Sequence, residues 1–497
     1  MNTKKEYGDF QTPVELARRV VSLVEERIGI PDLVIEPNAG VGAFLLASVQ
    51  QWDDQVEYEG YEINDSYVAA AQESLKGTTA KVYQRDFFVE DWKRILARPK
   101  LNRVLVLGNP PWVTNSDLGQ LGSGNLPEKS NHLGLKGMDA RTGKSNFDIA
   151  EWMLVRLIEA LPEHGAIAML CKTMTARRVL RHFWKAGSGR EGSELFRIDA
   201  KSEFDVAVDA CLFVTTGKQT QTCTAKVFSD LDTTSESARF GFINGGLVSD
   251  IDAYRKREKL DSGSSVYTWR SGIKHDAAKL MEFTRNGDQL INGFGESVDI
   301  EEDYVFPLLK SSDIGNGKNT IRKAVLVTQQ HTGDKTSGIA HRAPKTWQYL
   351  MRHAEALDQR KSSIYKNRPR FSIFGVGPYS FSQWKVAISG LYKKMSFVLV
   401  PPSNERPVMV DDTCYFVPCR SQAEAKLLLH LLSSEASAEF FQSLVFPDSK
   451  RPMTIDLLRR LSFVELAREL GRLEELQALT KERTDHGQVE RQLQLVM

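Results

Sequence analysis

Three stretches carry residue types and spacings suited to chemistry. The first is Glu36-Pro37-Asn38-Ala39-Gly40-Val41-Gly42-Ala43-Phe44, which follows the apolar run Leu33-Val34-Ile35 and opens a helical pattern over 41–51. Glycines at 40 and 42 let the backbone turn tightly and lie close against a ligand. Glu62 comes 20 residues after Gly42, at the end of a second strand pattern. A carboxylate there accepts hydrogen bonds from ribose hydroxyls. Two glycines alone also suit a plain strand-to-helix turn; the acid at this spacing favours a nucleoside-bearing cofactor. The second stretch is Asp86-Phe87-Phe88, after a third strand pattern. Its acid can accept from an adenine amino group while a neighbouring ring packs on the base. A solvated loop acid beside two core phenylalanines fits the same residues. The third is Asn109-Pro110-Pro111-Trp112, after the apolar run Val104-Leu105-Val106-Leu107. Two prolines end a ladder and fix the φ angles of a turn. Asn109 offers an amide oxygen, Pro110 a carbonyl without a competing N–H, and Trp112 a flat apolar face. The plain alternative is a strand-ending turn with a packed tryptophan.

These residues need a frame that brings strand ends together. Helical spacing of apolar residues covers 14–28, 65–76 and 147–161, and short β-rich runs fall at 33–35, 58–62, 81–83, 104–107, 166–171 and 210–215. Alternation of this kind predicts an α/β fold with a doubly wound, mostly parallel sheet. Such sheets bind ligands beyond the carboxyl ends of their strands, where the three stretches lie. The Gly/Ser/Asn-rich segment 113–145 reads as a mobile loop, and the polar run Ser229–Ser237 falls in a domain boundary near 220–260. Two domains are expected, 1–225 and 226–497, the second a mixed α+β fold. Residues 465–480 read as one charged amphipathic helix.

Composition narrows the class. The chain has 497 residues, 41% hydrophobic and 26% charged, which suits a globular protein and argues against a disordered or fibrous one. No apolar run reaches the ~18 residues of a membrane span. Met1–Tyr7 starts basic without an apolar stretch behind it, so no signal peptide is expected. Five cysteines make no disulfide framework. A reduced, cytoplasmic protein is expected. Cys414 and Cys419 lack a partner pair at zinc spacing, and the nine histidines include no His-Glu-x-x-His, so no metal is expected. The formal net charge is +1, yet residues 341–394 hold eleven Lys/Arg against two acids. Aromatics such as Tyr365, Phe371, Trp384 and Tyr392 are interleaved there. Lysine and arginine in such a stretch meet phosphates; Arg368, Arg370, Lys393 and Lys394 are the candidates for DNA contact. A solvated basic face over core aromatics is the alternative. Arg177, Arg178 and Arg181 form a smaller basic cluster.

The order Phe10-Gln11-Thr12-Pro13, then Glu36–Phe44, then Asn109–Trp112, resembles the gamma-class adenine-N6 DNA methyltransferases of bacterial restriction–modification systems. The specific motifs cover the first ~215 residues. Tyr304–Lys310 and Arg451-Pro452-Met453-Thr454 extend the likeness loosely over the remainder. The resemblance implies a class I S-adenosylmethionine-dependent methyltransferase fold followed by a target-recognition domain. It implies that Thr12 and Pro13 line the methionine end of S-adenosylmethionine. Glu36, Asn38, Gly40 and Gly42 would frame the cofactor, Glu62 would take its ribose, and Asp86 with Phe87 its adenine. Asn109, Pro110 and Trp112 would receive a flipped adenine of double-stranded DNA. Phe204, in Ser202-Glu203-Phe204-Asp205-Val206, resembles the family's second aromatic at the target base, and a core phenylalanine fits that position as well. Trp112 departs from the commoner Tyr or Phe and keeps the stacking face. The same Asn-Pro-Pro-aromatic motif occurs in enzymes that methylate RNA or a release-factor glutamine. Those acting on release factors are much shorter and lack the last ~240 residues. A non-catalytic DNA-binding defence subunit is the third reading; an intact Thr12, Gly42, Glu62 and Asn109 speaks against decay. No Pro-Asp…Asp/Glu-x-Lys arrangement suggests a fused nuclease, so a separate restriction endonuclease is the expected partner.

Overall fold

The computed structural model describes residues 10–98, 103–113, 148–261, 266–287 and 289–481. The expected loop 113–145 therefore lies outside the described residues, apart from Val113. The chain forms two compact units, one ending at Asp252 and one beginning at Ala253.

In the first unit, β1 (Leu33–Glu36) and β4 (Val104–Gly108) are buried at every position. Continuous apolar runs of that length must sit inside a sheet covered on both faces. They pair in parallel, Leu33 opposite Val104 and Ile35 opposite Val106. On the other side of β1 lie β2 (Glu57–Glu62) and β3 (Lys81–Gln84), with Glu36 opposite Gly60 and Glu62 opposite Gln84. Beyond β4 lies β5 (Ala166–Lys172), also parallel. The chain order thus reverses between β1 and β4, the switch point at which such sheets open a crevice. The sheet continues through β8 (Ala210–Thr216), antiparallel, and β7 (Glu194–Ile198). It then takes in β10 (Thr224–Phe228), β11 (Ala238–Ile243) and β12 (Gly246–Val248), giving ten strands. A short ribbon of β6 (Gly189–Arg190) and β9 (Gln219–Thr220) stands apart. This is the doubly wound, mostly parallel sheet that the alternation of elements predicts.

Helices cover it for legible reasons. α1 (Val14–Ile28) buries Leu16, Val20, Val21 and Val24 on one stripe, the i, i+4 spacing of an amphipathic helix. It ends at Gly29, whose positive φ of 76° suits a residue just past a helix. α2 (Ala43–Trp52) starts after the glycine turn, α3 (Asp65–Ser74) is capped by Asn64, and α4 (Trp92–Leu96) by Asp91. α5 (Ile149–Ala160) is capped by Asp148, α6 (Thr173–Lys185) follows β5 directly, and α7 (Ala200–Phe204) is capped by Asp199.

The domain boundary expected after 225 is corrected. β10 to β12 are strands of the first sheet, so its unit reaches Asp252. The Ser/Thr-rich run that reads as a linker joins β10 to β11, folded by Asp230, whose carboxylate accepts the N–H groups of Asp232 and Thr233.

The second unit is mixed α+β. One sheet orders β13 (Arg270–Ser271), β22 (Cys414–Cys419), β19 (Trp384–Ser389) and β20 (Phe397–Val400). Another orders β16 (Ser297–Val298), β15 (Gln289–Ile291), β14 (Glu282–Asn286), β18 (Lys323–Leu326), β17 (Val305–Leu309) and β21 (Met409–Val410). Helices Gln422–Leu432 and Glu435–Leu444 bury Leu428, Leu431, Phe440 and Phe441. The single helix expected over 465–480 is two: Phe463–Glu469 ends, Gly471 adopts a φ of 66°, and helix resumes at 473.

Candidate active site

At the carboxyl end of β1 the chain turns through Gly40 (φ 51°) and Gly42 (φ 83°) into α2. The positive φ disfavours a side chain at both, and the space for one is tight. A Cβ on Gly40 would lie 2.4 Å from Gln11 Oε1, and one on Gly42 3.2 Å from Ala71 Cβ. Glu62 fixes this loop from β2. Its Oε2 accepts the Gly40 N–H at 2.9 Å, and its Oε1 accepts those of Ile63 and Asn64 at 2.9 Å each. Three of about four acceptor directions are thus in use. Glu36 is buried beneath the loop and accepts the Leu45 N–H at 3.2 Å. Burial raises its carboxyl well above the usual carboxylate range, and the nearby Glu62 adds to this while the Leu45 N–H opposes it.

The segment Phe10–Pro13 joins this loop to the turn after β4. Gln11 Oε1 accepts the Val41 N–H at 3.1 Å. Asn109 Nδ2 donates to the Phe10 carbonyl at 2.9 Å and to Thr12 Oγ1 at 3.3 Å. A backbone carbonyl can only accept, so the NH2 side of the amide must face Phe10. That fixes Asn109 Oδ1 on the opposite side, where it is buried without a partner. Asn38 Oδ1 and Trp112 Nε1 are also buried and unpartnered. A buried polar atom left unpaired costs about 1–3 kcal/mol, and these three lie on the loops after β1 and β4, where a ligand can pair with them. Together with the glycine turn, these donors and acceptors fit a nucleoside-bearing cofactor and a second planar polar group.

The aromatic rings come together as well. Trp112 lies 5.2 Å from Phe204, edge to face, and 5.8 Å from Phe10. A base held between Trp112 and Phe204 needs about 7 Å between ring centres, twice the ~3.5 Å contact distance, so the rings must part to admit one. Asp86 is half-buried and accepts the Phe88 N–H at 2.9 Å. Phe87 is buried against Trp92 at 4.7 Å and Trp152 at 6.1 Å. Phe88 is half-buried, and Ile63, Tyr83 and Val89 are exposed apolar side chains on the same strand ends and loop. Ile63 and Gln11 escape sequence reasoning: one is an exposed isoleucine beside an acid, the other a glutamine whose only signal is its place in Phe10–Pro13.

The basic candidates separate. Arg370 is gripped by Asp358 and lies over the Phe371 ring at 5.3 Å. Asp358 raises its pKa by that hydrogen bond. Both side chains of this pair are nearly half exposed, so Arg370 stays at the surface among the phosphate candidates. Arg368, Lys393 and Lys394 are exposed. Two more cations of the stretch are internal. Arg360 donates to the carbonyls of His275 and Ser372, and Lys385 is 1% exposed. In the smaller cluster Arg177 is buried, Arg178 pairs with Glu151 at 3.4 Å, and Arg181 is exposed.

A cleft of about 760 Å³ opens at the opposite, amino end of the strands, lined by Arg27, Arg103, Glu163, His164, Glu191 and Lys218. Three permanent cations and two carboxylates line it, and no motif residue reaches it. Among the described residues no group of three or more His, Cys, Asp or Glu is placed to hold a metal ion, and no helix is long and apolar enough to cross a membrane.

No family model matches the chain. Among solved structures, the methyltransferase subunit of a type I restriction–modification system from Streptococcus thermophilus is 15% identical, with a TM-score of 0.32, over 44% of this chain and 47% of that one. A modification subunit of a putative type I restriction enzyme from Vibrio vulnificus YJ016 is 13% identical, with a TM-score of 0.30, over 44% and 46%. The chain thus spans less than half of either structure. Type II methyltransferase M.NspV from Nostoc sp. (strain ATCC 29411 / PCC 7524) is 43% identical over 473 residues, 94% of this chain and 98% of that protein. At that identity, over nearly the whole of both chains, this protein belongs to the type II methyltransferase family.

Proposed function

We propose that the protein is a site-specific DNA adenine-N6 methyltransferase that uses S-adenosylmethionine and shields its host's DNA from a separate restriction endonuclease. The observation that carries this reading is the orientation of Asn109, whose amide is anchored through its NH2 and keeps a buried, unpartnered oxygen. An exocyclic amine is a poor nucleophile because its lone pair is delocalised into the ring. Asn109 Oδ1 accepts one of its N–H groups and the Pro110 carbonyl the other. That draws the nitrogen toward a pyramidal shape and localises the lone pair. S-adenosylmethionine, when bound, supplies a methyl group made electrophilic by its sulfonium. Gly40, Gly42, Asn38 and Glu36 frame it, Glu62 takes the ribose, Asp86 with Phe87 or Phe88 meets the adenine, and Thr12 and Pro13 line the methionine end. The protein's share of the catalysis is alignment and preorganised acceptors.

The amine lies inside a duplex, so the base must be extruded. Trp112 and Phe204 stack on its two faces, offsetting part of the stacking given up in the duplex, at ~1–3 kcal/mol per base–aromatic contact. The second unit recognises the target sequence, with Arg368, Lys393 and Lys394 on phosphates. Labelled methyl transfer to duplex DNA, RNA and protein, followed by sequencing that locates the mark, tests the reading. The expected result is N6-methyladenine in DNA at one sequence; a label found only in RNA or protein refutes it.

A further inference from the structure

The turn that carries Asn109 cannot hold itself. Pro110 and Pro111 have no N–H, so neither donates to a ladder. β4 ends at Gly108, opposite Met169 of β5. β5 runs three residues further, to Lys172, because β8 still pairs with it there, Lys172 opposite Ala210. The overhang brings Lys172 to the turn. Its Nζ donates to the Trp112 carbonyl oxygen at 2.7 Å and to Asp148 Oδ2 at 2.8 Å. Asp148 Oδ1 accepts the Ala150 N–H at 3.1 Å and so caps α5. The Asp148 side chain is 7% exposed and that of Lys172 26%. The Ile149 N–H closes on the Val113 carbonyl at 3.0 Å. A twelve-residue helix, a carboxylate, an ammonium and a carbonyl thus form one chain of contacts ending on the aromatic residue of the motif.

We propose that Lys172 and Asp148 are positioning residues for methyl transfer, a clasp that holds the Trp112 carbonyl and with it the ring and the neighbouring Pro110 oxygen. The proposal rests on the function proposed above and adds to it the groups that aim its acceptors. Lys172 is bonded to backbone and carboxylate, so its role runs through the turn. Charge-assisted bonds are shorter and stronger than neutral ones, which suits a hinge-free support for a turn lacking its own donors. A displacement of about 1 Å at such a support can cost on the order of 100-fold in rate.

Single-turnover methyl transfer to a duplex carrying the target sequence is to be measured for the full chain and for K172M, K172R, D148N and K172M/D148N. S-adenosylmethionine affinity is measured by calorimetry and amide exchange at residues 112–113 by mass spectrometry. K172M is expected to lose roughly 30-fold in rate, to bind S-adenosylmethionine within about threefold of the parent, and to exchange faster at 112–113. K172R, which can bridge both partners, recovers most of the rate. K172M/D148N is no slower than K172M, because the two act as one unit. Turnover of K172M within about twofold of the parent, a loss confined to cofactor affinity, or losses that multiply in the double variant each overturn the proposal. Should K172M not fold, D148N carries the test, a several-fold rate loss supporting the clasp and an unchanged rate overturning it. A parent enzyme that methylates no adenine in DNA defeats the function instead, and exchange at 112–113 still decides the clasp.

Discussion

The motif loops at the carboxyl end of the first sheet and the interior of the second unit differ in which buried groups they hold. Around the crevice Asn38 Oδ1, Asn109 Oδ1 and Trp112 Nε1 are buried and unpaired. In the second unit the buried ionised groups are matched to one another. Lys310 bridges Glu282, at 2.7 Å, and Asp411. Both carboxyls are held below the usual range against the burial that would raise them, Glu282 by His275 and Lys310, Asp411 by Lys310 and Thr413. Arg460 bonds Asp261. The difference teaches where to look for a ligand. Single unpaired groups occur in the second unit too, at Trp269 Nε1 and Ser437 Oγ, so it is the three on the motif loops together that fit a small molecule. Matched ions build a scaffold, whereas Arg368, Lys393 and Lys394 lie exposed at its surface.

Four experiments break or sharpen that contrast. N109A removes the one amide oriented for an amine and should lower methyl transfer by at least about 10³-fold, in line with losing a preorganised oxyanion-type partner. S-adenosylmethionine binding, read by calorimetry, should stay within about tenfold; normal turnover would strip Asn109 of its role. W112A comes next. It should weaken transfer from duplex DNA by roughly 10- to 100-fold, as the removal of ~1–3 kcal/mol of stacking allows, and transfer from a target already mismatched by less. Equal losses on the two substrates would remove stacking from the account of base extrusion.

Neutralising Arg368, Lys393 and Lys394 to glutamine tests the second unit. Removing each cation that sits on a phosphate should flatten the slope of log K against log salt by about 0.9, while R370Q, whose cation already pairs with Asp358, changes the slope less. A steep change on R370Q alone would invert the assignment. The smallest effect concerns Lys385, an exception to the matching of charges. Burial lowers its pKa from 10.5 to about 7, opposed by Cys419, and its ammonium donates to the Ser382 carbonyl. Between pH 7 and 10.5 the unfolded chain binds the proton more tightly than the folded one, so stability should rise with pH across that window. K385M should abolish the rise in denaturation midpoints measured from about pH 7 to about pH 10; a persisting slope would assign it to another group.

Much of the catalytic side was legible because it is written locally. Buried strands declare themselves as apolar runs, as in Val104–Leu107, and positive-φ turns as glycines at 40 and 42. The acid after β2 sits at a spacing set by one helix and one strand. Boundaries were less legible. Ser229–Ser237 has the composition of a linker, yet it is a turn inside the first sheet, because β10 finds β7 across intervening chain. The helix over 465–480 breaks at Gly471, which costs only about 1 kcal/mol inside a helix and so signals weakly. The basic stretch 341–394 reads as one patch, but charge count carries no depth: Arg360 and Lys385 point inward and Arg370 is paired.

The sequence by itself determined the layered α/β frame, the glycine turn, the acid at 62 and the Asn-Pro-Pro-Trp turn, since each depends on residues within a few positions of one another. Only the tertiary structure decided that Phe10 and Thr12 orient the amide of Asn109, nearly a hundred residues away. It alone set Phe204 against Trp112 and put Lys172 on the carbonyl of Trp112. Parallel strands are joined by long crossovers, so groups that meet at their ends are far apart along the chain. No spacing rule records such meetings; they follow from the register in which β1, β4, β5 and β8 pair.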